Sequence, residues 1–454
     1  MGDECPISEF IKHILNTLKI SSMDFRYTYF MLAIVLVLYT SCSTTPNTQI
    51  TDVADYNAYL DISENESLKL AQQDQIFWSQ KLEKTPNQFP YMGKLAASYT
   101  ALFTETGQIE YLKKAETQWL NANALTQQKN PSYLKSLAYN YISQHKFKAA
   151  LELLTKAEVL GENLQETRKM LFDVHLELGN YETAQSYLTS FENFSDFDYL
   201  IRLSKFSDHK GNLDAAIKYM EQAMVIAEAS NLKHLKQWSY TNIADFYGHG
   251  GDIEKSYTYF LKALELNPND AYAKKGIAWI VYSHERHPNE ALRILSTVTK
   301  NYHAPDYYLL KAKIAQFINE DTIAKAELTL YKNAMQNTAY GNMYNAYNVL
   351  LFTDENTNTD TAIAMAKQEV SNRPTPQSYD LLAWSYFKSG NLDAALRIVD
   401  NHIMNKTYEP KTLYHVAEIY KTAGQNHHVK LLKEELLASI YELGPTLESE
   451  ILKL

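Results

Sequence analysis

Residues 378–399 read "SYDLLAWSYFKSGNLDAALRIV". Tyr379, Leu382, Ala383 and Tyr386 fall at i, i+3, i+4 and i+7, the spacing of one apolar stripe along a helix. Gly390 can take the left-handed conformation that stops that helix. Asn391 is then placed to cap a second helix, and Asp393 puts a carboxylate in its first turn, where the backbone dipole favours negative charge. Ala395 and Val399 restart the stripe at i, i+4. The stretch therefore predicts two short amphipathic helices joined by a tight turn, with small side chains where the axes approach.

The same pattern recurs. "GNLDAA" stands word for word at 211–216, and related stretches occupy 99–120, 134–157, 179–188, 240–270, 276–295, 312–331 and 414–424. Aligning the small residue of each second helix gives Ala115, Ala150, Ala184, Ala216, Ser256, Ala291, Ala326, Ala362 and Ala395, with a degenerate copy near Val429. Glycines 107, 179, 211, 250, 251, 390 and 424 fall in the turns between paired helices, a phase that chance amphipathic helices would not keep. One helical hairpin cannot cover its own apolar stripe, whereas stacked hairpins make a continuous core.

A period near 34, with large and small apolar positions in the first helix and alanines in the second, resembles the tetratricopeptide repeat. Leu137-Ala138-Tyr141, Ala244-Tyr247 and Leu382-Ala383-Tyr386 match its first helix; Ala150-Ala157, Ala216-Ala223, Phe260-Ala263 and Pro268 match its second. The resemblance covers about 85–440 and implies an all-α, right-handed superhelical solenoid of nine or ten units. Pro288, the missing turn glycine of the Ala362 copy and the extended connection before 232–256 depart from the pattern. A non-solenoid helical domain is the alternative. Residues 63–84 are expected to form a leading helix, 429–443 a closing helix and 441–454 a cap or tail.

Composition agrees with a helical chain. Among 454 residues, Gly (14) and Pro (12) are about half as frequent as usual, and the 34 tyrosines suit half-buried helix faces. The net charge is −10, with no clustered basic run, which argues against a nucleic-acid partner. An apolar run from Phe30 to Tyr39 follows Lys12, Lys19 and Arg26 and leads through Thr40-Ser41 to Cys42. It suits the core of a signal peptide and falls short of the ~20 residues of a spanning helix. The pattern resembles a bacterial lipoprotein signal, which implies removal of 1–41 and acylation of Cys42, with palmitate among the chains. Tyr39 stands where such signals usually carry Leu. Met23 makes the more typical start, so 1–22 read as an over-extended beginning. An ordinary secretory signal or an uncleaved anchor is the alternative. Residues 42–62 are then expected to be a flexible tether, and Ser43 favours the outer membrane over the inner one.

The search for chemistry returns little. His284 and His287 are three apart rather than i, i+4, and Pro288 follows them, so a turn fits better than a zinc pair. "DENTNTDT" at 354–361 resembles the start of a calcium loop, but Thr359 and Met365 replace its obligatory Gly and Glu. "YGHGGD" at 247–252 lacks the Lys-Ser/Thr of a phosphate loop, and no Gly-x-Ser-x-Gly elbow occurs. No catalytic residue, metal site or cofactor is expected, and the chain does not read as an enzyme.

What remains is surface. In tetratricopeptide proteins the first helices line a concave groove that holds peptides or partner helices. Residues one position along from the core stripe are expected to face it: Asp380, Trp384 and Phe387 in the opening stretch, then Lys135, Tyr139, Thr241, Asp245, Trp279, Tyr282, Tyr414 and Glu418. Large rings there suit buried anchors; the alternative is that Trp279 and Trp384 pack between adjacent repeats. A family subset clamps C-terminal carboxylates with Lys and Asn. Lys135 matches, but Tyr139 replaces the Asn, so that ligand does not follow. The resulting expectation is a lipid-anchored scaffold that binds a protein or peptide at the bacterial envelope. The alternatives are a glycan-capturing surface lipoprotein with tetratricopeptide-like helices and an outer-membrane assembly lipoprotein.

Overall fold

The computed structural model describes residues 49–61, 64–354 and 358–454. The leader, Cys42 and the first part of the tether lie outside the described residues, as does part of the calcium-like stretch. Among the described residues the secondary structure is helical throughout, and no helix is long and apolar enough to cross a membrane.

Ten helical hairpins follow one another: α3–α4 (Phe89–Thr106, Ile109–Leu125), α5–α6 (Pro131–Ser143, Phe147–Leu160), α7–α8 (Leu164–Glu177, Tyr181–Ser190), α9–α10 (Phe197–His209, Leu213–Ser230) and α11–α12 (Lys233–His249, Ile253–Leu266). Then come α13–α14 (Ala271–Trp279, Pro288–Val298), α15–α16 (Pro305–Phe317, Asp321–Met335), α17–α18 (Asn345–Asp354, Thr359–Asn372), α19–α20 (Pro376–Lys388, Leu392–Ile398) and α21–α22 (Pro410–Thr422, Asn426–Ala438). Each hairpin packs within itself and on the next. The chain is an all-α repeat solenoid.

Local chemistry sets the hairpins as the opening stretch foretold. Gly390 sits at φ +84°, and the Asn391 side chain accepts the amide of Ala394 at 3.1 Å to start α20. The aligned small residues Ala115, Ala150, Ala184, Ala216, Ser256, Ala291, Ala362 and Ala395 are all fully buried. One expectation needs correction: in α16 the buried small residue is Ala324, and Ala326 is exposed. The sequence "TIAKAE" offers two alanines half a turn apart, and only packing chooses between them.

Successive turns of the solenoid touch. The amide of His303 donates to the carbonyl of Thr106 at 2.8 Å, and Lys148 Nζ to the carbonyl of Ser371 at 2.7 Å. Arg373 pairs with Glu177 at 3.1 Å. Gly211 lies against the Tyr408 ring, where a Cβ would approach within 2.6 Å. These partners are about six units apart in the chain, so six hairpins complete one superhelical turn.

Both ends fold onto this frame. Residues 49–60, within the span expected as tether, carry helix α1 (Val53–Leu60), which lies on α12 and α14. Glu285 accepts the amides of Ile50 (2.8 Å) and Thr51 (2.6 Å) and the Thr51 hydroxyl (2.9 Å), and the Tyr56 hydroxyl donates to Glu290 at 2.7 Å. A carboxylate with three donors is a fixed anchor, which loop-like composition before α1 did not suggest. Helix α2 (Glu66–Lys84) leads into α3, close to the expected 63–84. At the other end α22 stops at Ala438, and two short helices follow, α23 (Ile440–Leu443) and α24 (Pro445–Lys453). The expected single closing helix 429–443 is thus broken at Ser439.

Candidate functional site

The first helices of the last six hairpins, α11 to α21, surround a chamber of about 960 Å³, closed along one side by α23 and α24. In the opening stretch Trp384 follows the core Ala383 and faces this lumen. The same register in successive first helices gives Asp245, Trp279, Lys313, Leu351, Trp384 and Glu418, and all six line the chamber. The repeat converts a one-dimensional spacing into a row of side chains along one interior wall.

Of the expected groove residues, Asp245, Trp279, Trp384, Phe387, Tyr414 and Glu418 come together here. Trp384 is only 6% exposed and lies flat on His415 of the next first helix, with centroids 4.1 Å apart and planes at 14°. It therefore packs between repeats and forms chamber wall at once. The other five do not meet there. Asp380 is buried between α19 and α21, with its carboxylate 2.9 Å from His415 Nδ1 and 3.3 Å from the Thr412 hydroxyl. Thr241, at the equivalent place, is buried and spends its hydroxyl on the carbonyl of Trp238 at 3.0 Å. One turn toward the N-terminus from the lumenal position, the next hairpin covers the helix, and the offset rule fails. Tyr282 has no exposed surface: its ring meets Phe317 and its hydroxyl bonds the Thr446 hydroxyl at 2.8 Å. Lys135 and Tyr139 belong to α5, away from the chamber, and Tyr139 is 58% exposed.

The chain's own C-terminus covers part of the concave face. The Tyr441 carbonyl accepts from Trp279 Nε1 at 3.0 Å and from the Ser283 hydroxyl at 2.6 Å, and Arg286 pairs with Glu448 at 2.9 Å. Gly248 makes room for the Tyr441 ring, and Gly444, at φ +81°, lies against Trp279, where a Cβ would come within 3.1 Å. The open trough expected from the repeat is here a walled chamber.

The wall is mixed in character. Rings of Tyr272, Trp279, Tyr347, Trp384, Phe387, Tyr414 and Tyr441 alternate with charge. Lys275 pairs with Asp306 at 3.3 Å, and Asp245 accepts the Tyr272 hydroxyl. Burial pushes the Asp245 carboxyl upward, and burial raises Asp354 against the pull of Lys411, His415, Lys388 and Lys313. Lys313 is pushed down to about 8, chiefly by burial and further by Lys411. Lys411 is lowered for the same first reason. Sequence reasoning missed Lys313, Tyr347, Leu351, Asp354, Lys388 and Lys411. For Lys313 the signal existed, because it follows Ala312 as Trp384 follows Ala383. Among the described residues no group of three or more His, Cys, Asp or Glu side chains is placed to share a metal ion.

The architecture defines a stacked-hairpin repeat protein. The tetratricopeptide repeat family model matches residues 197–229 and 239–270, which are α9–α10 and α11–α12 with their flanks. Over these two hairpins the chain matches the tetratricopeptide repeat. No curated protein matches its sequence significantly. Solved structures with a similar path include a human IFIT1 dimer with m7Gppp-AAAA, at 13% identity over 72% of this chain and 76% of that one, TM-score 0.45. A tetratricopeptide repeat protein from Parabacteroides merdae aligns at 15% identity over 57% of this chain and 98% of its own, TM-score 0.34. PilF of Pseudomonas aeruginosa aligns at 15% identity over 46% and 94%, TM-score 0.35.

Proposed function

We propose that this chain is a binding scaffold that holds a segment of a partner protein in its chamber, at the bacterial envelope, tethered through a lipid on Cys42. The observation that carries the binding role is the lumenal row: six successive first helices present Asp245, Trp279, Lys313, Leu351, Trp384 and Glu418 to one half-open chamber. Apolar rings and aliphatic chains on that row offer the buried contact area typical of interface centres, and the interspersed charges offer orientation. The envelope location rests on the leader, in which the apolar run 30–39 precedes Cys42.

A photo-reactive residue tests the reading in living cells. Placed at Leu351 or Trp384, it is expected to give a discrete partner adduct. Placed at Val159, which is 83% exposed on the far arm, it gives none. Equal adducts from Val159 and Leu351 would remove the chamber from the account. Fractionation of Cys42→Ala tests the anchor separately: release into the soluble fraction is expected, and retention in membranes would refute acylation.

A further inference from the structure

Three lysines gather in the chamber without an ion pair. Lys313 of α15, Lys388 of α19 and Lys411 of α21 line the same chamber, and among the described residues none has a carboxylate within ion-pair distance. Most other buried or half-buried cations are matched, Lys169 with Asp196 and Asp198, Lys311 with Glu327, Arg202 with Asp173 and Lys205 with Glu177, whereas the buried Lys274 of α13, outside the chamber, has no ion pair among the described residues. Lys388 does lie 5.4 Å above the Trp384 ring, which takes part of its charge. Among the described residues, Asp354 is a carboxylate within electrostatic reach of all three lysines.

This arrangement costs the fold. Lys313 and Lys411 repel each other in a partly desolvated space, and one shared carboxylate cannot neutralise three cations. A lysine stem can usually carry its ammonium out to bulk water. Here Lys313 and Lys388 are half-buried and Lys411 is exposed, yet all three line one chamber, and Lys411 acts on Lys313 across it. A ligand bearing negative charge would relieve that repulsion.

We propose that Lys313, Lys388 and Lys411 form the recognition site for an acidic peptide segment, whose carboxylates seat among the three lysines while its apolar side chains lie on the Trp279–Leu351–Trp384 rungs. The proposal rests on reading the chamber as the partner site. A segment is favoured over a compact ion because the apolar rungs flank the lysines along one row spanning six hairpins, a length that an isolated oxyanion would leave unused.

Fluorescein-labelled (Glu-Leu)4 is the probe, compared by anisotropy with (Gln-Leu)4 and (Lys-Leu)4 on the purified protein. (Glu-Leu)4 is expected to bind at least about tenfold tighter than (Gln-Leu)4, because its bonds to the lysines are charge-assisted. Its affinity should fall with added salt and as pH rises past about 8, where Lys313 sheds its proton. K313Q/K388Q/K411Q should erase the preference for Glu, whereas K325Q/K430Q, two exposed lysines outside the chamber, should keep it. D354N removes the internal competitor and should tighten (Glu-Leu)4, a change opposite in sign to the triple variant and not attainable by misfolding. Equal binding of the Glu and Gln peptides overturns the proposal, as does loss in K325Q/K430Q to the same degree. Binding of inorganic pyrophosphate without (Glu-Leu)4 overturns it too. If (Glu-Leu)4 and (Gln-Leu)4 bind alike and W384A weakens both, the chamber survives as the partner site and the lysine assignment alone falls.

Discussion

Asp380 and His415 show how much a single residue's meaning depends on its neighbours. In the sequence Asp380 is a polar residue beside an apolar stripe, which suggests solvent or ligand. In the fold it is 5% exposed and its carboxylate bonds Thr412 and His415, whose ring in turn supports Trp384. Leaving one partner of a buried pair uncompensated typically costs about 3–5 kcal/mol. We therefore expect His415→Ala to lower unfolding stability by about 3 kcal/mol and to loosen Trp384, read as a red-shifted and more quenchable tryptophan emission. A variant with unchanged stability would mean that the pair is solvated. At this scale the sequence was partly legible. Asp245, Trp279, Trp384 and Glu418, which share a register, line one chamber, because a repeat places equivalent residues in equivalent surroundings. Register misplaced Asp380 and Thr241, because which flank of a helix the next hairpin covers is set by the packing angle and not by periodicity.

Elements were more legible than their attachments. The turn glycines, Asn caps and stripe spacing located the hairpins, since these are local effects. The docking of the two ends was not, because it is written in contacts between residues far apart in the chain. Glu285 gathers Ile50 and Thr51 from more than 230 positions away, and Tyr441 reaches Trp279 and Ser283 across about 160. Nothing in "LASIYELGPT" announces that its tyrosine carbonyl will be a double acceptor. Helices α23 and α24 should come loose when that contact is removed. Tyr441→Ala is expected to speed amide exchange over 440–453 while leaving α3 to α10 unchanged. Gly444→Ala should act likewise and cost roughly 1–2 kcal/mol, since it forces a side chain into a left-handed residue and against Trp279. Unaltered exchange in both variants would show that the terminus is held by its own core residues, Leu443 and Ile451, rather than by the chamber wall.

The molecule as a whole depends on one turn resting on the next. In the cleft between turns, Asp208, Glu409 and Glu442 converge near His249, with Lys205, His209, Glu177 and Arg373 opposite. Burial raises all three carboxyls, and their mutual repulsion raises Glu409 and Glu442 further. A folded state with raised carboxyl pKa values binds more protons than the unfolded chain, so stability falls as pH rises from the ordinary value of about 4 through the raised values. Glu177, lowered by Lys205 and Arg373 against its burial, works in the opposite sense, and its contribution is lost only below the ordinary value. The cleft carboxyls thus favour a thermal midpoint that rises as pH drops from 7 toward 5, opposed by His209, His145 and His175, which burial lowers. Below about 4 the midpoint turns downward as the carboxylate pairs are lost. Asp208→Asn/Glu409→Gln/Glu442→Gln should remove the cleft's share of that rise, and a trend from pH 7 to 5 unchanged by the triple variant would exclude the cleft as its source.

The chamber exists because the hairpins wind tightly enough for the second turn to meet the first, which brings α11 through α21 around one lumen. Spin labels at Lys148 and Ser371, both exposed and joined by a hydrogen bond in the closed form, report on that winding directly. With Cys5 and Cys42 replaced, pulsed electron resonance should return one narrow distance at the short limit of the method. A broad distribution centred at long distance would mean that the turns stand apart, and the walled chamber would go with them.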